Sequence, residues 1–222
     1  MSVRMPMFPL NTVLFPGVTT PLHVFEDRYR ALVHHLLTEG DPTQRVFGVT
    51  AIREGYEVGD HGVQSLHTTG TVMQMTEVEQ YPDGRFDIEV VGRQRMRLHD
   101  LDASGPYLVG LVDTLEEPDT PEAEAEAERT LATFDTYRRR VGELRGGPVL
   151  SAGLPRDPTY LSWSLATACL LTMPERQSLL EAPDTATRLV LLRRSLVNEL
   201  RAMKAIPSLP ATEVARTRWN PN

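Results

Sequence analysis

The strongest constraint on the fold is an apolar stretch near the start of the chain in which prolines and a glycine hold fixed places. Residues 8–17 read Phe-Pro-Leu-Asn-Thr-Val-Leu-Phe-Pro-Gly. We expect a short strand where this stretch begins, and because Pro9 has no N–H to donate, that strand must lie at an edge or tolerate a missing bond. Pro16 and Gly17 predict a turn, since proline presets φ and glycine accepts a positive φ.

A second short apolar run, residues 22–25, leads into a predicted helix. The helix should begin near Phe25 and Glu26, with the carboxylates of Glu26 and Asp27 in the first turn, where the helix dipole favours them. The apolar residues that follow are spaced by three and four positions and share one face: Tyr29, Leu32, Val33 and Leu36. Strand, turn and helix should together pack the N-terminus into a core.

Composition places the chain among globular proteins that lie outside the membrane. Its 222 residues suit one large or two small domains, and a net charge of −7 argues against general affinity for nucleic acid or anionic lipid. Cys169 is the single cysteine, so no intrachain disulfide can form, and a reducing cytoplasm is the natural location. The start of the chain lacks the long apolar core of a signal peptide, and no run reaches the roughly 18 apolar residues of a membrane span.

The chain up to residue 117 predicts a β-rich unit with one early helix. Apolar and β-branched residues recur at 45–52, 71–80, 86–91, 93–101 and 107–115. Pro82, Asp83 and Gly84 predict the turn of a hairpin, because proline fixes one φ and glycine supplies a positive one. Several strands at short spacing favour a small, partly closed β-barrel.

The composition changes at residues 116–119, and the rest of the chain to residue 206 predicts an α-helical bundle. Thr120 and Pro121 begin a long helix with glutamates near its start and arginines near its end, as the helix dipole favours. Asp157, Pro174 and Asp184 mark the starts of three more helices. The class is therefore α+β, with residues 1–117 as barrel, 118–206 as bundle and 207–222 as a flexible tail.

The order of these landmarks resembles the N-terminal, substrate-binding domain of Lon protease. The opening of that family is matched at Pro9-Leu10, Leu14-Phe15-Pro16-Gly17, Pro21-Leu22, Phe25-Glu26 and Arg28-Tyr29. Later landmarks fall at Phe47-Gly48-Val49, Gly70-Thr71, Asp83-Gly84-Arg85, Gly92, Pro106-Tyr107, Pro174, Gln177, Leu179-Leu180-Glu181 and Arg188-Leu189. The resemblance runs from about residue 5 to residue 206.

The resemblance implies a fold and a function. It implies a barrel-like subdomain related to PUA folds, followed by a helical bundle, as in bacterial proteins of the peptidase S16 type. It implies a stand-alone form of the domain, without ATPase or protease parts. Such a chain is a non-enzymatic protein that needs no cofactor and binds unfolded or extended polypeptide segments or a dedicated protein partner.

Catalytic apparatus is hard to find in the sequence. A phosphate-binding P-loop needs a glycine-rich turn before its lysine, but the single lysine, Lys204, follows Ala202 and Met203. Ser151, within a Ser-Ala-Gly segment, leaves a hydrolase as an alternative, although a nucleophile also needs a positioned base and oxyanion donors. The six histidines are not clustered at metal-ligand spacing, so no metal site is expected. Cys169 fits a buried small hydrophobe.

Three arginines leave a nucleic-acid alternative open. Arg93, Arg95 and Arg97 alternate along one predicted strand and should share a face. A PUA-like RNA-binding module would use such a stripe for phosphates, although the stripe lacks the aromatic residues on which bases stack. We favour pairing of these arginines across the sheet with four carboxylates instead: Glu77, Glu79, Asp87 and Glu89.

The predicted site residues fall into two groups. Peptide-binding candidates are aromatic or methionine side chains, which suit a surface that adapts to varied partners: Phe15, Tyr29, Met73, Met75, Tyr107 and Trp163. Each also fits a place in the core. Structural roles are assigned to Pro16, Gly17 and Gly84 in the turns and to Arg28, which we expect to be largely buried and paired with a carboxylate such as Glu26.

Overall fold

The computed structural model describes residues 2–39, 41–53, 65–118, 120–145 and 153–205. The chain divides into two compact units, Met1–Glu116 and Glu117–Asn222. Within the described residues the first unit holds six strands and one α-helix, and the second holds four α-helices, so the class is α+β. The predicted tail, residues 207–222, lies outside the described residues.

The elements follow one another in a simple order. The first unit consists of β1 (Val3–Met7), β2 (Thr19–Val24), α1 (Asp27–Thr38), β3 (Val46–Val49), β4 (Thr69–Gln80), β5 (Phe86–Asp102) and β6 (Leu108–Thr114), with a 3-10 turn at Pro42–Gln44. The second unit consists of α2 (Ala123–Arg145), α3 (Pro158–Ala168), α4 (Met173–Glu181) and α5 (Thr185–Ala205).

The six strands form one sheet in the order β2-β5-β4-β3-β1-β6. All neighbours are antiparallel except β1 and β3, which are parallel. The long strand β5 pairs with β2 and β4 along its first half, and its second half also pairs with β6. Pairings therefore link β5, β4, β3, β1 and β6 in a continuous circuit, while β2 lies outside it with β5 as its one strand partner among the described residues.

The apolar stretch of residues 8–17, which we call the organising stretch, differs from its prediction where it begins. The strand expected to start at Phe8 instead ends at Met7. Beyond it the chain keeps isolated bonds to β3 and to the residue that follows it: the N–H of Phe8 donates to the carbonyl of Gly48 over 2.8 Å, and the N–H of Leu10 donates to that of Thr50 over 3.0 Å. Pro9 lies between these two donors, so its missing N–H removes neither bond.

The predicted turns are present, and one glycine fixes where the first turn lies. Gly17 has φ of 72° and Gly84 has φ of 84°, the left-handed values that glycine adopts without strain. The N–H of Gly17 donates to the carbonyl of Gly92 on β5 over 2.9 Å. A Cβ at Gly92 would overlap the carbonyl oxygen of Phe15, so this close approach depends on glycine. Residues 86–91 and 93–101, predicted as a strand and its extension beyond Gly92, form one strand, β5.

Two clusters form the core of the first unit. The first cluster lies between α1 and the sheet, and the predicted stripe of Tyr29, Leu32, Val33 and Leu36 is wholly buried in it. The second cluster lies among the strands of the circuit. There the side chain of Met7 lies against two glycines, Gly48 and Gly110, whose missing Cβ atoms make the room.

Local signals explain the helices of the second unit. The carboxylate of Asp157 accepts from the N–H of Tyr160 over 3.0 Å and caps α3, while Thr172 and Glu175 form a capping box at α4. Cys169, predicted to be a buried small hydrophobe, is the residue that ends α3, and it is 2% exposed. The apolar stripe of α5 is buried at Leu189, Leu192, Leu196 and Met203.

A buried arginine organises the centre of this unit. Arg188 on α5 is fully buried, and its guanidinium lies 3.4 Å from the ring centroid of Trp163 on α3. It forms an ion pair with Glu117, and its Nε donates to the hydroxyl of Ser162 over 2.8 Å. A further bond of 3.0 Å runs to the hydroxyl of Thr185. Because a buried charge is costly unless it is paired, this network fixes how α5 and α3 meet the start of the unit.

Candidate functional site

A groove of about 480 Å³ opens beside β2 in the first unit. We call it the β2 groove. The organising stretch forms one part of its lining, and β2 with the start of α1 forms another. Its lining residues are Phe8, Pro9, Leu10, Asn11, Leu22, His23, Phe25, Glu26, Arg28, Tyr29 and Ile52.

An aromatic pair gives the groove a rigid wall. The rings of Phe8 and Tyr29 are stacked with centroids 3.8 Å apart and planes 6° apart. The hydroxyl of Tyr29 donates to the carbonyl of Pro9 over 3.2 Å, which ties α1 to the organising stretch. Burial raises the pKa of Tyr29 to about 12, with a smaller opposing effect from Arg28 and a small reinforcing one from Glu26.

A single ion pair supplies the charged part of the lining. Nη2 of Arg28 lies 2.7 Å from Oε2 of Glu26, and its Nε donates to the same oxygen over 3.0 Å. The guanidinium also lies 4.6 Å from the ring centroid of Tyr29. The expected pairing with Glu26 is therefore present, but the expectation that Arg28 is largely buried is wrong, since 34% of its side chain is exposed. The pair lies at the rim of a groove, where water still reaches it.

The outer edge of β2 is open within the described part of the chain. The N–H of Gly92 donates to the carbonyl of Val18 over 3.1 Å, across the facing residues Thr19 and Val91. Facing residues bridged in this way do not bond each other, and bonded and non-bonded pairs alternate along an antiparallel ladder. The backbone groups of Thr19, Pro21 and His23 therefore point away from β5.

Phe25 is an exposed aromatic residue at the end of this edge. It follows β2 directly, precedes Glu26 at the start of α1, and is 61% exposed. A residue in this place often packs on the residue at the fourth position of the helix. That residue is Arg30, whose side chain donates instead to the carbonyl of Gly84 over 2.7 Å. Phe25 is thus left to line the groove.

Most of the predicted peptide-binding side chains lie in the core. Phe15, Met73 and Met75 are 1%, 0% and 2% exposed, and they present no surface to a peptide in this structure. Trp163 is 2% exposed in the second unit, against Arg188. The half-buried Tyr107 packs against the cluster under α1.

Among the predicted candidates Tyr29 lines the groove, and reasoning from sequence missed Phe25 and the open edge. One signal for the edge was present, because a proline inside a strand, here Pro21, is typical of an edge strand.

The solvent face beside β2 carries a row of carboxylates. Glu77 faces Glu89 across β4 and β5, and Glu79 faces Asp87 in the same way. Asp87 accepts from Tyr81 over 2.6 Å and lies 2.5 Å from Nδ1 of His23, and these two hydrogen bonds, Tyr81 first, lower its pKa. We call Glu77, Glu79, Asp87 and Glu89 the carboxylate row. Within the described residues, the three glutamates have no ion-pair partner.

The pairing predicted for the arginines is therefore wrong. The side chain of Arg93 donates to the amide oxygen of Gln74 over 2.6 Å, and Arg95 is 4% exposed, with its guanidinium on the carbonyl of Glu116 over 3.1 Å. The cause is a register shift beside Arg93, where Val72 faces Gln94 while Met73 faces Gly92. This bulge breaks the simple alternation between Arg93 and Arg95.

The described residues offer little for covalent or metal chemistry. Burial raises the pKa of the Cys169 thiol far above its usual range, which disfavours the reactive thiolate. No group of three or more histidine, cysteine or acidic side chains within the described residues is arranged to hold a metal ion. Ser151, the nucleophile of the hydrolase alternative, lies outside the described residues. None of the described helices is both long and apolar enough to cross a membrane.

Comparison with known proteins places the chain in a family. Residues 4–198 match the model of the ATP-dependent protease La (LON) substrate-binding domain. The chain belongs to this Lon substrate-binding family. Curated relatives include Lon protease 2 of Herpetosiphon aurantiacus, 26% identical over 91% of the chain, and Lon protease of Escherichia coli strain K12, 26% identical over 89%. The chain spans about a quarter of the length of each, with 25% of either relative covered.

Solved structures of the Lon family agree with the fold. A Lon N-terminal domain protein from Xanthomonas campestris is 28% identical, with a TM-score of 0.59 over 86% of this chain and 96% of that one. The N-terminal domain of Mycobacterium avium complex Lon protease is 20% identical, with a TM-score of 0.65 over 88% of this chain and 98% of that one. At this identity the second likeness concerns the fold alone.

Proposed function

We propose that this chain is a non-catalytic binding domain that holds an extended segment of polypeptide in the β2 groove. The family description names a substrate-binding domain, and the open edge of β2 is the observation that carries the proposal. In this proposal the circuit of strands is a small PUA-like barrel that carries the groove, and α2–α5 form the helical bundle. Binding needs neither cofactor nor turnover.

The backbone of the edge suits an extended chain as its ligand. Thr19 and His23 offer outward N–H groups, and Thr19, Pro21 and His23 offer outward carbonyls. These groups recur at every second residue, about 6.6–6.8 Å apart, which is the repeat of a strand that would lie beside them. A polypeptide added as a further strand would satisfy them, with one donor missing at Pro21.

The side chains of the groove suit one large apolar residue of the bound segment. Phe25 is exposed, and Leu10, Leu22 and Ile52 are half-buried with apolar surface on the groove. The stacked rings of Phe8 and Tyr29 hold this wall rigid, so that little ordering is needed on binding. Backbone bonds would supply affinity for any extended segment, and the pocket would select where along it binding occurs.

The RNA-binding alternative has weaker support. Its arginine stripe is interrupted, because Arg95 is buried and Arg93 is engaged by Gln74. The solvent face of β4 and β5, in the same sheet, carries the carboxylate row, which would repel phosphates.

The proposal is tested by titrating fluorescein-labelled peptides from an unfolded protein into the full chain at moderate salt. We expect saturable binding in the micromolar range that does not change when ATP is added. Phe25→Ser should weaken it about tenfold, as expected for an aromatic anchor. Tyr160→Ser is the matched control, because Tyr160 is a 57% exposed aromatic residue of the second unit.

Two outcomes would contradict the proposal. One is the absence of saturable binding across a diverse set of peptides, which would leave a dedicated folded partner as the ligand. The other is equal weakening by Phe25→Ser and Tyr160→Ser. A peptide with every backbone nitrogen methylated tests strand addition directly, since it keeps its side chains but has no N–H to donate, and it should not bind.

A further inference from the structure

We infer that the β2 edge selects extended segments in which basic and apolar residues alternate, because the carboxylate row lies beside it on the solvent face. This inference rests on the proposed function and adds the chemical class of the bound segment. It follows from the pairing register of β2, β5 and β4 and from the charges that this register places on one face.

The register places the carboxylate row next to the open edge. Pro21 faces Glu89 on β5, which faces Glu77 on β4, and His23 faces Asp87, which faces Glu79. Facing residues of neighbouring strands point to the same side of a sheet. Two rows of facing residues therefore run across the three strands, one starting at Pro21 and one at His23. Each row holds two of the four carboxylates, and each ends at a residue whose backbone groups point outward.

The carboxylate row has few positively charged side chains as partners among the described residues. His23 is the partner of Asp87, and Arg85 forms its ion pair with Asp83 at 2.7 Å, although its charge also helps to lower the pKa of Asp87. Arg93, further along β5, is engaged by Gln74. Like charges that face each other directly are destabilising, so a cation supplied by a bound segment would relieve a repulsion already present in the free protein.

The geometry of an added strand sets the pattern of the segment. Such a strand would lie about 4.8 Å from β2 and about 9.6 Å from β5. Its residues opposite Pro21 and His23 would point to the solvent face, where the flexible stems of lysine or arginine extend toward Glu89 and Asp87. The residues between them would point to the other face, like Leu22, which lines the groove. Basic residues at every second position therefore fit, with apolar residues between.

The test uses three labelled peptides of equal length: alternating valine and lysine, alternating valine and serine, and the valine–lysine composition arranged as two blocks. At about 10 mM salt we expect the alternating lysine peptide to bind about tenfold more tightly than the serine peptide. The block peptide should lose most of this gain. At 0.5 M salt the alternating lysine peptide should bind less than about threefold more tightly than the serine peptide, because charges this far apart are screened there.

Matched variants separate this inference from the proposed function. Glu77→Gln with Glu89→Gln removes two of the four charges of the row, so it should reduce the lysine preference by at least half and leave the serine peptide bound as before. The control, Glu122→Gln with Glu128→Gln, removes the same charge from exposed positions of the second unit and should keep the preference. Circular dichroism and melting temperature check the fold of each variant.

Equal binding of the lysine and serine peptides by the parent protein would overturn the inference and leave strand addition standing. A preference of undiminished size in the Glu77 and Glu89 variant would also overturn it. Failure of every peptide to bind the folded parent would overturn the proposed function, and the inference with it.

Discussion

At the scale of single residues, Tyr29 both lines the groove and contributes to the stability of the fold. Its ring stacks on Phe8, its hydroxyl donates to the carbonyl of Pro9, and 4% of it is exposed. Burial favours the neutral phenol, which is why its pKa is raised from 10.0 to about 12. The unfolded chain loses this proton near pH 10, so the free energy of unfolding should fall as the pH rises from 10 to 12.

Tyr29→Phe should remove this pH dependence. The variant loses one hydrogen bond, so at pH 8 we expect it to be about 1 kcal/mol less stable than the parent. Between pH 8 and pH 12 the free energy of unfolding of the parent should fall by about 2–3 kcal/mol, which corresponds to a pKa raised by about two units. That of the variant should fall by less. Urea unfolding from pH 8 to 12 measures both, with Tyr160→Phe as the exposed control. Parallel curves for parent and Tyr29→Phe would show that Tyr29 does not titrate in this range.

Burial of particular side chains was the least predictable feature at this scale. The burial of the apolar stripe of α1 could be predicted, because residues on one face of a helix recur every three to four positions. The burial of Met73 and Met75 could not be predicted in this way, because β4 pairs with a strand on each side and its residues 69–75 are all buried. Phe25 looked like the start of a helix, and nothing in the sequence shows that Arg30 would bond Gly84 and leave Phe25 exposed.

At the scale of elements, the β4–β5 hairpin carries an unfavourable charge arrangement. Glu77 faces Glu89 directly, and neither has an ion-pair partner among the described residues. Such a pair weakens the hairpin, in the way that functional surfaces often carry arrangements that do not favour folding.

Glu77→Gln should therefore stabilise the protein. Removing one charge of a directly facing like pair is expected to raise the free energy of unfolding by about 0.2–1 kcal/mol, more at low salt than at high salt. Urea unfolding at two salt concentrations measures this effect. Glu128→Gln on α2, which makes the same change of net charge, serves as the control. A loss of stability on Glu77→Gln would mean that the glutamate has a favourable partner in solution.

Element boundaries were predictable where turn chemistry marks them. Gly17 and Gly84 lie in turns with positive φ, and α1 begins one residue from its predicted start. The exceptions have local causes. The stretch at Phe8 was predicted to be a strand, but it makes only isolated bonds, to Gly48 in β3 and to Thr50 after it. The bulge beside Arg93 breaks the alternation between Arg93 and Arg95, and a sequence pattern of period two cannot predict a bulge.

At the scale of the whole molecule, every residue of the β2 groove and of the carboxylate row belongs to the first unit. The end of that unit is held by the N–H of Leu115, which donates to the carbonyl of Arg95 over 2.9 Å, and by the bond of Arg95 to the carbonyl of Glu116. The unit also has two apolar clusters of its own.

A fragment of residues 1–116 should therefore fold and bind. We expect cooperative unfolding in urea and dissociation constants within about twofold of those of the full chain for the same peptides. A fragment that folds but does not bind would show that residues beyond 116 contribute to the site. A fragment that ends at residue 112 is the control, since it lacks the bonds made by Leu115 and Glu116 and should be less stable.

The division of the chain was readable from its change of composition, but the place of function was not. The family resemblance implies a substrate-binding role and names no surface for it. The groove arises because residues far apart in sequence, such as Leu10, Phe25 and Ile52, come together only when β1, β2 and β3 take their places around α1. Pairing order of this kind depends on long-range contacts that single-residue patterns do not encode.

Pro21 has a consequence for how the protein behaves in a crowded solution. A bare strand edge invites other copies of the same chain to join it, which is how sheets grow into fibres. Two β2 edges meeting about Pro21 would each lack a donor at the centre of the contact, and the two β5 strands with their carboxylates would lie about 14 Å apart across it, where like charges repel. The proline and the acidic face thus act as gatekeepers: the edge stays available to a foreign strand of opposite charge while copies of the protein remain apart.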